Sequence, residues 1–213
     1  MSLTCIVFDC DGVILDSVPT KTRAFARLAE PYGEEARDRF VLFHMTHGGV
    51  SRYRKFEWFF DEVLGRPITP EESKAWGEKF VEYALEEVKR CPLIPGVEDV
   101  LKTWKGRLPL CVCSGSPTGE LRSILELRHL ASYFTTILGS PPAKAEVLAR
   151  IVRDLRLDPA DVLMVGDAST DRDAAAQVGT QFYGRGPDLR TDGSFPWEEN
   201  LTGLNEWIAR HVD

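Results

Sequence analysis

Two acids stand one residue apart where an apolar run stops: Asp9 and Asp11 in FDCDGVILDS, residues 8–17, directly after TCIVF. A carboxylate at the end of a buried segment is costly to keep charged unless a cation or metal faces it. Further polar groups follow later apolar runs. Ser114 and Gly115 follow LPLCVC (108–113), Lys144 follows TTIL (135–138), and Asp167 and Asp171 follow VLMVG (162–166). Clustered carboxylates with no histidine or cysteine among them form a hard oxygen donor set, which selects Mg2+ over zinc. Mg2+ usually shares its coordination with a phosphate. A serine hydroxyl, the Gly115 N–H and a helix start offer donors to anionic oxygens, and Lys144 adds a compact positive charge. These residue types predict a phosphoryl-transfer site, where positioning and charge neutralisation carry the catalysis.

Bringing such residues together requires a particular scaffold. The runs 4–8, 108–113, 135–138, 162–166 and 180–184 are short, apolar and without polar alternation, as in parallel strands buried on both faces. Helical patterns cover 96–106, 117–128, 142–156 and 171–178, the last three framed by Ser116-Pro117, Ser140-Pro141-Pro142 and Ser169 with Asp171; these are helix-start chemistries. The alternation predicts an α/β fold with a doubly wound parallel sheet, whose strands deliver side chains to one carboxyl-terminal edge. Residues 200–211 read as a final packing helix and 184–199 as a long surface loop. Residues 17–92 break the alternation and read as helices. Trp76, Phe80, Tyr83, Leu85 and Val88 mark one at about 70–90, and Phe56, Phe59, Phe60, Val63 and Leu64 mark another. The expected organisation is a core of residues 1–16 and 93–213 with a helical cap of 17–92, hinged where the chain crosses between them.

DCDGV at 9–13, SGS at 114–116, Lys144 and GDASTD at 166–171, in that order and spacing, resemble the phosphatase branch of the haloacid dehalogenase superfamily. Its members have a Rossmann-like core, here with a C1-type helical cap as in phosphoglycolate phosphatases and the β-phosphoglucomutase-like group. The resemblance implies that Asp9 is the nucleophile, forming an aspartyl-phosphate, and that Asp11 is general acid and then base. Crowding by Asp9 and partial desolvation are expected to raise the Asp11 pKa. The implied Mg2+ ligands are the Asp9 carboxylate, the Asp11 backbone carbonyl and Asp167, with Asp171 acting directly or through water. Ser114 and Lys144 would hold the transferring phosphoryl oxygens, beside the Gly115 N–H. An acid at Asp11 favours phosphate esters over halides, because halide leaves unprotonated. The stretch THGGVSRYRKFEWFF (46–60) resembles the GVSR of the β-phosphoglucomutase-like group, which implies that Arg52 reads a second anionic group of the substrate; Ser51 is expected to cap the next helix. That group carries a histidine where this chain has Lys21. A lysine suits anion binding but changes any proton relay. Hydrolysis of a small phosphorylated metabolite, a phosphoglycolate-like acid or a sugar phosphate, is therefore preferred to a phosphomutase. A non-enzymatic phospholigand-binding protein would show a lost nucleophile or acid, and neither is lost.

The plainer readings are that Ser114 caps a helix, that Lys144 and Arg52 are solvated, and that Asp171 merely suits a helix N-terminus. Composition sets the remaining bounds. With 213 residues, 43% apolar content and a net charge of −7, the chain reads as a soluble globular protein without nucleic-acid or membrane partners, a monomer or weak homodimer. MSLTCIVFDCDG enters strand chemistry at once, so a signal peptide is not expected. Five cysteines without a CxxC pair point to buried thiols in the cytoplasm. His44 and His47 have helical spacing but no evident third ligand for zinc.

Overall fold

The computed structural model describes residues 2–189 and 193–212. The apolar runs form strands β1 (Cys5–Phe8), β2 (Leu110–Pro117), β3 (Thr136–Ser140), β4 (Val162–Gly166) and β5 (Gln181–Arg185), joined by a short β6 (Trp197–Glu198). All pairs are parallel, in the order β3-β2-β1-β4-β5-β6. Every residue of β1 and β4 is buried, which explains the missing polar alternation. Ile6 and Phe8 face one apolar layer with Val100, Leu101 and Trp104; Cys5 and Val7 face the other with Leu148 and Ile151. Helices α5 (Val97–Trp104), α6 (Thr118–Leu127), α7 (Lys144–Asp154), α8 (Ser169–Val178) and α9 (Leu204–Ala209) flank the sheet. The strand order runs outward from β1 one way and from β4 the other, so the switch point of the sheet lies between the ends of β1 and β4, where a ligand crevice forms.

Two expectations about local structure change. Strand β2 runs on to Pro117, with a register shift between Ser114 and Pro117, so the SGS segment belongs to the strand instead of following it. The stretch 184–199 holds a turn at Pro187–Leu189 and the strand β6, which pairs Gly184 with Trp197 and Arg185 with Glu198; residues 190–192 of it lie outside the described residues. A two-residue strand has no hydrophobic period that could announce it. The cysteines are free and buried. Among the described residues no helix is long and apolar enough to cross a membrane.

Between β1 and residue 93 the chain forms α1 (Val18–Ala29), α2 (Glu34–Thr46), α3 (Arg52–Glu62) and α4 (Pro70–Val88). Thr69 and Glu72 close a capping box at the start of α4, whereas Ser51 precedes α3 without a capping bond. The aromatic stripes pack against one another: Phe25 meets Phe40 at 5.3 Å and Phe60 meets Trp76 at 4.9 Å, both edge-on. The two connections to the rest of the chain run side by side, with Ile94 N–H donating to the Ile14 carbonyl and Asp16 N–H to the Pro92 carbonyl.

Candidate active site

Asp9 continues the ladder one step past β1, its N–H donating to the Val165 carbonyl at 2.9 Å. Its Oδ1 accepts from Cys10 N–H at 2.7 Å and its Oδ2 faces Lys144 Nζ at 3.0 Å. Lys144, the first residue of α7, also donates to Asp171 Oδ1 at 2.6 Å. Asp171 Oδ2 in turn accepts from Ala168 N–H at 3.1 Å, closing the first turn of α8. Asp167 completes the group: Asp9, Asp167 and Asp171 offer ligand oxygens that all lie within 4.8 Å of one another. One lysine among three carboxylates leaves surplus negative charge in a buried place. Burial, with Asp171 and Asp11 adding repulsion against the pull of Lys144, pushes the Asp9 carboxyl up to about 7. Burial, then Asp9 and Asp171, push Asp167 well above the carboxylate range. Burial disfavours the Lys144 ammonium, but Asp171 and Asp9 outweigh it and hold Lys144 charged.

An all-oxygen donor set with unmatched negative charge fits a hard divalent ion. Asp171 Oδ1 and Oδ2 each already accept one bond, from Lys144 and from Ala168, so the aspartate also contacts the lysine directly. A consequence is measurable without substrate. The Asp9 carboxyl is near 7 when folded against an ordinary 3.8, so between those values the folded state binds more protons and stability falls as pH rises. In EDTA, denaturant melts should show stability dropping from pH 4 to pH 7 by up to about 1.4 kcal/mol per unit. Millimolar Mg2+ should flatten that slope, and equal slopes with and without it would remove the metal site.

Asp11 faces the other way. Its Oδ2 accepts from Lys21 Nζ at 2.5 Å and from Ser116 Oγ at 3.0 Å, and its Oδ1 from Ser17 Oγ at 2.5 Å. Lys21, from α1, also donates to Ser116 Oγ at 2.8 Å. Burial raises the Asp11 pKa, but the Lys21 charge and the bonds from Lys21, Ser17 and Ser116 outweigh it and bring it to about 2. The expected rise through crowding is thus reversed, because a lysine in direct contact outcompetes a neighbouring carboxylate.

Ser114 is buried and accepts from Ser116 N–H at 3.2 Å. A Cβ on Gly115 would lie 2.3 Å from the Gly49 carbonyl oxygen, so the turn between α2 and α3 rests directly on the end of β2. Thr170 fastens the same turn, its hydroxyl donating to the Gly48 carbonyl at 2.8 Å. Beneath it is a cavity of about 490 Å3 whose wall includes Asp9, Asp11, Asp167, Lys21, Arg52 and Gly115. Arg52 reaches the wall with its guanidinium already paired to Glu120 at 2.7 Å and laid over the Phe80 ring at 4.3 Å. The structure therefore places Asp9, Asp11, Asp167 and Lys21 around one cavity, joins Lys144 and Asp171 to it through the Lys144–Asp9 contact, leaves Ser114 off its wall, and gives Arg52 a protein partner. Ser17 and Thr170 sit inside the quoted motifs without an expected role, and Ser116 is expected only at a helix start; their bonds to Asp11 and to the Gly48 carbonyl place them at the site. Glu120, 68 residues from Arg52, left no signal in the sequence.

Residues 3–179 match the family model described as haloacid dehalogenase-like hydrolase. The chain belongs to the haloacid dehalogenase-like hydrolase family. It is an enzyme, and relatives within this family carry phosphatase names. A phosphoglycolate phosphatase of Synechococcus elongatus is 25% identical over 181 residues, covering 83% of this chain and 81% of that protein. A phosphorylated carbohydrates phosphatase of Thermotoga maritima is 28% identical over 196 residues, covering 85% of each. The haloacid dehalogenase-like fold is shared with the crystal structure of a β-phosphoglucomutase from Clostridium difficile, at a TM-score of 0.82 and 20% identity, covering 98% of this chain and 96% of that one.

Proposed function

We propose that the chain is a Mg2+-dependent phosphoric monoester hydrolase acting on a small phosphorylated metabolite, a phosphoglycolate-like acid or a sugar phosphate. The observation that carries this reading is the meeting of Asp9, Asp167 and Asp171, with carboxylate oxygens within 4.8 Å of one another, and of Lys144 against Asp9 and Asp171, with Asp11 on the same cavity wall as Asp9 and Asp167. Asp9 Oδ attacks phosphorus, the ester P–O bond breaks, and the phosphoryl group passes to Asp9. The leaving oxygen takes a proton from Asp11, whose pKa rises when a phosphoryl dianion enters beside it. In the second half Asp11 takes a proton from the water that attacks the aspartyl-phosphate; Lys21, Ser17 and Ser116 favour its ionised form for that step. Lys144 and Ser114 hold the transferring oxygens, and Asp171 positions Lys144. Asp9, the Asp11 backbone carbonyl and Asp167 would hold Mg2+, which supplies charge neutralisation at the phosphoryl oxygens.

A cavity of about 490 Å3 suits a small ligand. Residues 17–92 act as the cap, turning about the paired connections at Ile14–Ile94 and Asp16–Pro92, and the turn at Gly48 and Gly49 seals the site from water. Buried free thiols support residence in the cytoplasm, and the enzyme works as a monomer or weak homodimer. The test is release of phosphate from a panel of phosphate esters, with and without Mg2+. Metal-dependent release from small esters is expected. β-Glucose 1-phosphate with a bisphosphate primer should yield free phosphate; formation of the 6-phosphate instead would make the enzyme a phosphomutase. Tight binding of one ester without any turnover would make it a phospholigand-binding protein.

A further inference from the structure

Among the described residues, the cavity wall holds one cation that meets no carboxylate. Lys21 on that wall is matched by Asp11 and Arg52 by Glu120, while Lys144, paired with Asp9 and Asp171, is not part of the wall. Lys55, from α3, lines the same cavity and is 3% exposed, yet among the described residues it forms no salt bridge. Its Nζ contacts are His44 Nδ1 at 2.9 Å and the His44 carbonyl at 3.3 Å. The Phe25 ring lies below it at 5.4 Å.

The neighbouring bonds determine what His44 does. The Thr22 hydroxyl donates its proton to the Val18 carbonyl at 2.8 Å. The contact of 3.1 Å between Thr22 Oγ1 and His44 Nε2 must therefore carry a proton from the histidine. With its proton on Nε2, neutral His44 presents Nδ1 as an acceptor, and Lys55 donates to it. Burial, with Lys55 and Lys21 adding to it, pushes the His44 pKa down to about 3, which keeps the ring neutral. His44 thus takes two of the three ammonium protons without neutralising the charge, and leaves the third for the cavity.

We infer that Lys55, oriented by His44, is the specificity residue of the site and reads a carboxylate on the substrate, which makes the preferred class phosphorylated carboxylic acids rather than neutral phosphorylated alcohols or sugars. The inference rests on the phosphatase reading for the role of the cavity, and it deepens that reading. The charge count selects the class. One unmatched cation balances a carboxylate monoanion, whereas a second phosphate would bring about two negative charges to a single lysine. Burial, then Lys21, lower the Lys55 pKa to about 7, with Asp11 pulling it up and Lys144 pushing it down. An anion placed against it relieves that cost. Arg52 is less suited to the task, because Glu120 already answers its charge.

Binding of non-hydrolysable phosphonates separates this inference from the phosphatase reading. Titration calorimetry in Mg2+ compares phosphonoacetate and 3-phosphonopropionate with ethylphosphonate and propylphosphonate, which lack the carboxylate. Wild-type protein should bind the better carboxylated probe about 10- to 100-fold more tightly than its counterpart, the range for a charge-assisted bond. Lys55→Met, which keeps the apolar stem, should shrink that ratio to within about threefold, and Lys55→Arg should restore most of it. No preference in the wild type overturns the inference, and this result does not depend on either variant folding. A preference that survives in Lys55→Met but vanishes in Arg52→Met overturns it as well. Turnover of phosphate esters is scored separately, so an inactive protein that still shows the lysine-dependent preference fails only the phosphatase reading.

Discussion

Replacing Asp9 with asparagine lowers turnover by at least about 10,000-fold, the scale seen when a covalent nucleophile is removed, and leaves no trapped phosphoenzyme. The fold survives the change. The asparagine side chain keeps an oxygen acceptor for Cys10 N–H, and Lys144 retains its bond of 2.6 Å to Asp171. Removing one of three crowded carboxylates also removes repulsion that burial has made costly; the Asp9 carboxyl sits near 7 because charging it there is unfavourable. The variant without metal should therefore melt at the wild-type temperature or above it, while its stabilisation by Mg2+ shrinks. Rapid-quench assays with a radiolabelled ester measure the phosphoenzyme directly. Residual turnover within about tenfold of wild type would be incompatible with a displacement of this kind.

The residues that carry this prediction were legible because of where they stand. In a parallel sheet buried on both faces, an acid at the end of an apolar run has no solvent-facing excuse, and Asp9, Asp11 and Asp167 all occupy such places. Lys144 was legible only as the lysine near the third strand end. The division of labour between Asp9 and Asp11 was not legible. It depends on partners distant in the chain: Asp9 faces α7 and α8 while Asp11 faces α1 and β2. The direction of the Asp11 shift then follows from a contact of 2.5 Å with Lys21, a distance that spacing along the chain cannot supply. Arg52 shows the same limit from the other side. Its motif suggested a free cation, but its charge is met by Glu120 on α6, outside the helices that follow β1. Lys55 lies inside the quoted stretch 46–60 and His44 stands out only for its spacing to His47; their contact, 11 residues apart on different helices, has no signal in the sequence.

Lys144→Met gives the second large effect, and it acts on stability as well as rate. Lys144 is the only cation in contact with Asp9 and Asp171 among the described residues, and all three are buried. Taking one member out of a buried ionic cluster costs about 3–5 kcal/mol, because the partners stay behind uncompensated. Protonation of Asp9 relieves part of that cost at low pH, since its carboxyl is already close to neutrality at pH 7. The deficit should therefore be largest above pH 7 and should narrow in acid. A divalent ion that binds the carboxylates of the folded state also offsets it, by about 2.7 kcal/mol at a hundredfold excess over Kd. Metal titrations followed by thermal melts should thus show a larger Mg2+-induced rise for Lys144→Met than for wild type. Turnover behaves differently. The metal can restore the net charge, but it cannot replace a donor aimed at the phosphoryl oxygens, so kcat should stay about 100- to 1,000-fold down even in saturating Mg2+. Lys144→Arg sharpens the distinction: a guanidinium recovers much of the stability, yet its planar fork cannot reproduce a point charge between Asp9 and Asp171, so the rate stays low. A Lys144→Met protein with wild-type melting in EDTA and wild-type turnover would show that the lysine is a spectator, and would leave the surplus negative charge at the strand ends without a protein counterion.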